Sequence, residues 1–239
     1  MLEIARSELV QMFRNRLVLV TGLLIPVGVG AYLVHQHEAY ADLGSLGFVA
    51  ALVIFTVLAF GLYTTAVTTL AARRQDLFLK RLRSTAASDP HILAGLVLPI
   101  TGVALVQVVA ILAVLGGVVD GPAQPLLLVP AVLATTAMVI ALALATAGVT
   151  NSPEHAQVTT LPVSLGLIAV AGWVGISGTE ELARLKRLLP GGSATELLVN
   201  AWDGGVPFAD SLPLLAPTAG WVAVAVVLAR RFFRWEPRR

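Results

Sequence analysis

The sequence has no cysteine and few charged residues. The absence of cysteine excludes disulfides, thiolate metal sites and thiol chemistry. Charged residues make up 13% of the 239 residues, whereas soluble domains carry about 25%. Hydrophobic residues account for 57%, and the formal net charge of +2 is too small to indicate a nucleic-acid-binding protein. A mean hydropathy of +0.85 indicates instead a chain that lies largely in a lipid bilayer.

Long apolar runs recur along the whole chain. Each run can cross about 30 Å of hydrocarbon as a helix, and none alternates with the period of two that membrane strands show. The six predicted spans cover residues 17–34, 46–72, 92–119, 126–149, 158–177 and 212–229. We therefore predict an all-α membrane protein with a single transmembrane domain over residues 1–239.

The basic residues fall mainly on one side of this six-span arrangement. Thirteen of the sixteen lie before the first span, between the second and third spans, or after the sixth. The other three, Arg184, Lys186 and Arg187, lie between the fifth and sixth spans. Because cytoplasmic loops are enriched in Lys and Arg, we predict that both termini and the loop 73–90 are cytoplasmic, and that the segment 178–211 is extracellular.

Residues 1–16 precede the first span and place apolar side chains at helical spacing. The charged residues of this segment lie mostly on other faces. The pattern predicts a helix that lies in the membrane interface. A short cytoplasmic extension of the first span is the alternative. The apolar positions are Leu2, Ala5, Leu9, Met12 and Phe13.

The loop after the second span, residues 73–90, alternates apolar and basic residues. The alternation predicts a short amphipathic helix, and the pair Asp89-Pro90 is typical of the start of the next helix. A short helix of this kind can dock on a soluble partner, with its basic residues fixing the register. A basic cluster that only sets the topology is the alternative. The candidate docking residues are Asp76, Leu77, Phe78, Leu79, Lys80, Arg81, Leu82 and Arg83.

The segment 178–211 is the longest stretch between two predicted spans. Charges and leucines alternate over residues 180–189, which predicts a short amphipathic helix that ends at Pro190-Gly191-Gly192. Ser193 and Glu196 have the spacing of a capping box, which predicts a second helix over residues 194–202. An ordinary surface loop with local helices is the alternative.

The combination of these features resembles the membrane subunits of type-2 ABC exporters, the ABC type-2 permease family. In that family a cytoplasmic coupling helix joins the second and third spans. The basic and leucine-rich stretch 73–83, followed by the small-residue and proline turn 84–90, is similar to that helix. The resemblance covers essentially the whole chain, and includes the N-terminal helix and the two short helices before the sixth span.

The resemblance implies a permease of the bacterial inner membrane that works as two halves, either a homodimer or a paralogous heterodimer. Two copies of a P-loop ATPase subunit would hold ATP and Mg²⁺, and their closure would push on residues 76–83. The chain itself has no Gly-x-x-x-x-Gly-Lys-Ser/Thr motif. We therefore expect no cofactor in this chain and ATP hydrolysis by a partner chain.

The interiors of the predicted spans contain no Asp, Glu, Lys or Arg. Proton- and ion-coupled transporters usually need such residues at depth, so the sequence argues against them. The polar candidates for lining a transport path are Thr64, Thr68 and Gln107, and helix packing is the alternative role for the threonines. A largely apolar path would suit an amphiphilic small molecule, a drug, a peptide or a lipid.

Two other function classes remain open from the sequence. The first is the substrate-binding membrane component of an energy-coupling-factor importer, which also has about six spans, although a basic helix in its second loop is unexpected. The second is an intramembrane enzyme. Gly175-x-Ser177-Gly178 is similar to a rhomboid protease nucleophile motif, but the last histidine of the chain is His155 and no later histidine can serve as its base. No carboxylate array completes a metal site around the histidines.

Overall fold

The computed structural model describes residue 6, residues 9–12, residues 14–84, residues 88–233 and residue 235. The regular elements within these ranges are helices, in agreement with the predicted all-α class. Residues 9–12 are helical, and half of the predicted interfacial helix 1–16 lies outside the described residues.

Ten helices, labelled α1 to α10, follow one another in the described part of the chain. Helix α1 joins Arg16–Leu19, a π-helical segment Val20–Leu24 and Ile25–His35. The others are α2 His37–Ala41, α3 Leu46–Gln75, α4 Phe78–Arg83, α5 Asp89–Val118, α6 Pro125–Val149, α7 Pro153–Ser177, α8 Ala183–Leu188, α9 Gly192–Asp203 and α10 Phe208–Phe232.

Five of these helices are long and apolar enough to cross a membrane: α3, α5, α6, α7 and α10. At about 1.5 Å per residue, a helix of 25 residues rises about 37 Å, which exceeds the hydrocarbon thickness. These five correspond to the predicted second to sixth spans. The predicted first span, residues 17–34, coincides with α1, whose apolar part Val20–His35 is shorter.

Prolines and serines set the starts of the long helices. Proline occupies the first turn of α5, α6 and α7, where its missing N–H costs no helical hydrogen bond. Ser45 and Ser152 precede α3 and α7, and their hydroxyl oxygens accept the N–H groups of Phe48 (3.1 Å) and His155 (3.2 Å). Each serine satisfies one of the amide groups left free at a helix start.

Helices α1 and α3 approach each other closely at two π-helical segments, Val20–Leu24 and Val57–Thr64. A Cβ on Gly22 would lie 2.8 Å from Thr65 Oγ1, and a Cβ on Gly61 would lie 3.2 Å from the carbonyl oxygen of Gly22. Only glycine fits at Gly22, because any side chain would overlap α3. This contact holds α1 against the centre of the bundle.

Helix α3 is the central element, since every residue over 47–59 is buried. At its C-terminal end α3 meets α4 and the end of α6, and the end of α6 in turn touches the end of α10. We call this end of the bundle the basic end. A Cβ on Gly148 would lie 2.9 Å from the carbonyl carbon of Phe232, so α6 and α10 touch there. At the other, distal end, the N–H of Gly47 donates to Asp203 Oδ1 of α9 at 2.7 Å. One helix therefore connects the two ends.

The segment 178–211 folds over the distal end and contains α8 and α9. The predicted capping box does not form: Gly191, with φ +91°, precedes α9, and no side chain caps it. Ser193 instead shares a hydrogen bond with Thr218 (3.1 Å). Glu196 accepts two bonds from Arg187, at 2.6 and 2.7 Å, and these bonds raise the pKa of Arg187. A charged partner on α8 thus replaces the backbone amide that the box would have used.

Candidate docking helix and polar side chains of the spans

A tight turn places α4 directly after the central helix. Helix α3 ends at Gln75, Asp76 leaves helical geometry, and Leu77 adopts the left-handed conformation with φ +58°. The N–H of Leu77 donates to the carbonyl of Arg74 at 3.1 Å. Left-handed residues after a helix are usually glycine, so the leucine here is held in a conformation that costs about 1–2 kcal/mol.

One face of α4 packs onto the bundle. Leu79 is completely buried, and Phe78 and Leu82 are half-buried against the core. The guanidinium of Arg73 lies 5.3 Å from the centroid of the Phe78 ring. Leu79, which the sequence offered as a docking residue, is therefore inaccessible to a partner.

Arg74 fixes the end of α3, just before α4, to the end of α6. Its side chain is 1% exposed and donates to the carbonyl oxygens of Ala147 (3.0 Å) and Thr150 at the end of α6. A buried guanidinium needs such acceptors, because desolvating an unpaired charge is costly. Sequence reasoning missed this role and counted Arg74 only as a basic loop residue. Its position four residues after buried Leu70 was the available indication, since residues four apart share a helix face.

The opposite face of α4 is exposed and basic. Lys80, Arg81 and Leu77 point to solvent, and Leu77 is 46% exposed. With Asp76 and Ser84 they line an open cavity of about 570 Å³. Arg81 donates to the carbonyl of Asp76 at 2.9 Å, which closes the turn. The structure thus brings four of the eight predicted docking residues together on one accessible surface.

Arg83 points to a different neighbour. Its Nε donates to Asp89 Oδ1 at 3.2 Å, and its guanidinium lies 5.2 Å from the centroid of the Trp235 ring. Trp235 also makes an edge-to-face contact with Phe233, with ring centroids 5.4 Å apart. Sequence reasoning did not single out Trp235, although tryptophan beside a basic cluster at a span end is typical of a membrane-interface anchor.

The three polar residues proposed from the sequence as path lining do not share one cavity. Thr64 donates to the carbonyl of Ala59 (3.0 Å) and contacts Ser164 of α7, whereas Thr68 donates to the carbonyl of Thr64 (2.8 Å). Thr68 lines a cavity of about 560 Å³ at the basic end. Gln107 lines a separate groove between α1 and α5.

Gln107 is 5% exposed, and its Nε2 donates to the carbonyl of Gly22 at 3.0 Å. Gly22 lies in the π-helical segment of α1, and π-helical turns leave carbonyl groups without their usual helical partner. The amide therefore compensates an irregularity in the neighbouring helix. This contact supports a packing role for Gln107.

A serine and a lysine meet at the distal end. Lys186 is 2% exposed, and its Nζ lies 2.8 Å from Ser177 Oγ. That spacing fits a Ser–Lys nucleophile pair. Sequence reasoning considered only a histidine as the base for Ser177 and therefore missed this lysine. However, the same Nζ donates to the carbonyl of Gly178 (2.7 Å) and lies 5.3 Å from the centre of the Trp173 ring. Ser177 Oγ in turn donates to the carbonyl of Trp173 at 2.7 Å, so its proton points away from Lys186 Nζ and the pair lacks the geometry of a nucleophile and its base.

Comparison with known proteins adds the family. The family described as ABC-2 family transporter protein matches residues 32–231, from the end of α1 to the last turn of α10. A search of curated proteins finds no significant match. Since the match covers most of the chain, including α4 and the segment 178–211, this protein belongs to the ABC-2 family of membrane transporter proteins.

Proposed function

We propose that this chain is the permease half of an ATP-driven exporter, and that a separate P-loop ATPase subunit docks on the exposed face of α4. The observation that carries the proposal is the two-sided character of α4. Buried Leu79 fixes α4 to the bundle, and buried Arg74 fixes the adjoining end of α3 to α6, while Lys80, Arg81 and Leu77 are exposed. A docking element needs such a rigid base and an exposed, charged surface.

The proposed topology has six spans with both termini in the cytoplasm. Helix α1, residues 16–35, would be the first span, because twenty helical residues rise about 30 Å. Six spans put the basic residues of α4, of the N-terminal segment and of the end of α10 on one side, as the positive-inside rule requires. The basic end would then face the cytoplasm of a bacterial cell, and the segment 178–211 would face outward.

Central helix α3 offers a route for force between the two ends. A push on α4 would act directly on α3, because only Asp76 and Leu77 separate the two helices. The distal end of α3 is hydrogen-bonded to Asp203 of α9 through Gly47. Two permease halves, as a homodimer or a paralogous heterodimer, would enclose the path, and two ATPase copies would bind ATP and Mg²⁺.

The cargo class follows from the apolar character of the spans. No Asp, Glu or Lys lies within the five long helices between their terminal turns, so an amphiphilic small molecule, drug, peptide or lipid suits the path. The energy-coupling-factor alternative would contact its ATPases through another scaffold chain, so it would not need an exposed α4. The enzyme alternative lacks a free base at Ser177.

Charge reversal on α4 tests the proposal. We expect Lys80→Glu combined with Arg81→Glu to abolish co-purification of the ATPase from native membranes in mild detergent. Leu77→Asp should weaken it. These side chains are exposed, so the variants should keep a monodisperse elution profile, unlike substitutions at Phe78 or Leu82, which pack on the core.

Arg184→Glu is the matched control, because Arg184 is also exposed on a short basic helix but lies at the distal end. It should retain the ATPase. Undiminished ATPase recovery with the double variant would refute docking on α4 and favour the scaffold-bound alternative.

A further inference from the structure

An apolar groove opens at the basic end between α5, α6 and α10. Its volume is about 590 Å³, within the range of small-molecule sites. The groove is formed by three helices that are each long and apolar enough to cross a membrane. The wall residues are Leu93, Val97, Ile140, Leu144 and Val226.

The rim of this groove is charged and aromatic. Arg230, Asp89, Phe233 and Trp235 meet there. Asp89 is paired with Arg83, which offsets its charge. Arg230 is exposed and makes no hydrogen bond or ion pair with any residue in the described part of the chain. Within the described residues, the positive charge of Arg230 at this rim is therefore not paired with a carboxylate.

We propose that this groove binds an anionic phospholipid of the cytoplasmic leaflet, with an acyl chain along the apolar wall and the phosphate at Arg230. The assignment of the leaflet rests on the proposed topology. Arginine suits a phosphate because its planar fork donates two parallel hydrogen bonds. Basic pockets between membrane helices on the cytoplasmic side recognise anionic headgroups in this way.

The aromatic pair at the rim supports a lipid as the occupant. Phe233 and Trp235 lie at the end of α10, where the chain leaves the helix. Tryptophan at this depth sits at the boundary between acyl chains and headgroups. A free phosphate would use Arg230 but would leave the apolar wall uncovered, so the combination of wall, aromatic rim and arginine fits an amphiphile better than an ion.

The bound lipid would touch the docking helix through one ring. Trp235 lines the groove and also stacks on the guanidinium of Arg83 in α4. A lipid bound in the groove would restrict the movement of the Trp235 ring and would therefore also restrict the side chain of Arg83. The lipid composition of the leaflet would thereby influence the orientation of α4.

Native mass spectrometry tests the assignment without the ATPase, so its outcome is independent of the proposed function. The purified full chain is mixed with phosphatidylglycerol and phosphatidylcholine in equal amounts. We expect the protein to retain phosphatidylglycerol in preference to phosphatidylcholine. Arg230→Gln should lower the affinity for phosphatidylglycerol roughly tenfold, because one charge-assisted contact is worth about 1.4 kcal/mol or more. Arg231→Gln is the matched control, since Arg231 is exposed, lies outside the groove and should retain the lipid.

Two further variants exclude other occupants. Leu144→Trp should fill the groove and lower lipid retention while leaving Arg230 in place. The parent chain has no cysteine, so Leu144→Cys introduces a single thiol. A disulfide-linked dimer of this variant would place a second copy in the groove and overturn the proposal. Equal retention of the two lipids, equal loss in the Arg230 and Arg231 variants, or displacement of the lipid by inorganic phosphate alone would also overturn it.

Discussion

Two short helices at opposite ends of the molecule contain the same four residues, Leu-Lys-Arg-Leu. The first copy is residues 79–82 of α4 and the second is residues 185–188 of α8. Both helices have six residues, and each follows a leucine in the left-handed conformation, Leu77 (φ +58°) and Leu182 (φ +56°). The two helices therefore share four residues and a left-handed leucine, but the shared residues begin two positions after that leucine in α4 and three positions after it in α8.

The two helices bury opposite faces. In α4 the first leucine, Leu79, is in the core and Lys80 is exposed. In α8 the lysine, Lys186, is buried, while Leu185 is 48% exposed. The basic end thus presents charges outward, and the distal end presents leucines outward.

The neighbours decide which face turns inward. Helix α4 lies on aliphatic side chains of the core cluster, where a leucine gains free energy by leaving water. Helix α8 lies on Ser177, the carbonyl of Gly178 and the ring of Trp173, which together bind an ammonium. The four shared residues alone do not determine which face is buried, because the groups that contact each helix lie elsewhere in the sequence.

Truncating the first leucine of each copy should give the largest contrast. Leu79→Ala removes a fully buried side chain and should lower the free energy of unfolding by about 2–5 kcal/mol, because it leaves a cavity. Leu185→Ala should cost less than about 1 kcal/mol. Thermal unfolding of both purified variants in one detergent measures the difference. Equal losses would mean that α8 is covered by another surface.

Replacing the lysine of each copy should have the opposite order of effects on stability, with the larger loss in α8. Lys186→Met keeps the chain length but leaves Ser177 and the carbonyl of Gly178 without their donor, so we expect a loss of about 1.5–3 kcal/mol. Lys80→Met should change stability by no more than about 0.5 kcal/mol, because Lys80 is exposed. It should reduce ATPase co-purification instead. If Lys186→Met is as stable as the parent chain, the buried lysine contributes nothing net to the fold.

The ion-paired arginines of the two helices, Arg83 of α4 and Arg187 of α8, should differ by less. Arg187 makes a forked contact with Glu196, whose side chain is 13% exposed. Arg187→Gln removes the charged partner of this carboxylate and leaves the Thr179 hydroxyl, at 2.9 Å, donating to it. We expect a loss of about 1 kcal/mol, less than for a fully buried pair because Arg187 itself reaches solvent. Arg83→Gln breaks a more exposed pair with Asp89 and should cost no more than about 0.5 kcal/mol. Chemical denaturation of both variants and their parent gives the comparison, and a larger loss for Arg83→Gln would contradict it.

The sequence predicts which segments are helical better than it predicts which face of a helix is buried. Hydropathy alone predicts the five long helices, because a run of apolar residues determines both length and environment. The alternation over residues 76–83 predicts α4, whose observed bounds are Phe78–Arg83. The burial of Arg74 and Lys186 was not predicted, since it depends on carbonyl groups at the ends of α6 and α7. The predicted capping box does not form because α9 begins after Gly191 and Glu196 accepts hydrogen bonds from Arg187.

Glycine at the two left-handed positions should not lower stability. Leu77→Gly and Leu182→Gly each relieve about 1–2 kcal/mol of backbone strain and lose about 0.5–1 kcal/mol through the greater freedom of the unfolded chain. Both leucine side chains are largely exposed, at 46% and 61%, so little packing is lost. The free energy of unfolding of each variant should therefore equal that of the parent chain or exceed it by up to about 1.5 kcal/mol. The two should differ in function: Leu77→Gly should weaken ATPase co-purification, because Leu77 lies on the exposed surface of α4, whereas Leu182→Gly should leave it unchanged. A loss of stability well above 1 kcal/mol at either position would mean that the leucine packs against a surface, and equal ATPase recovery from both variants would remove Leu77 from the docking surface.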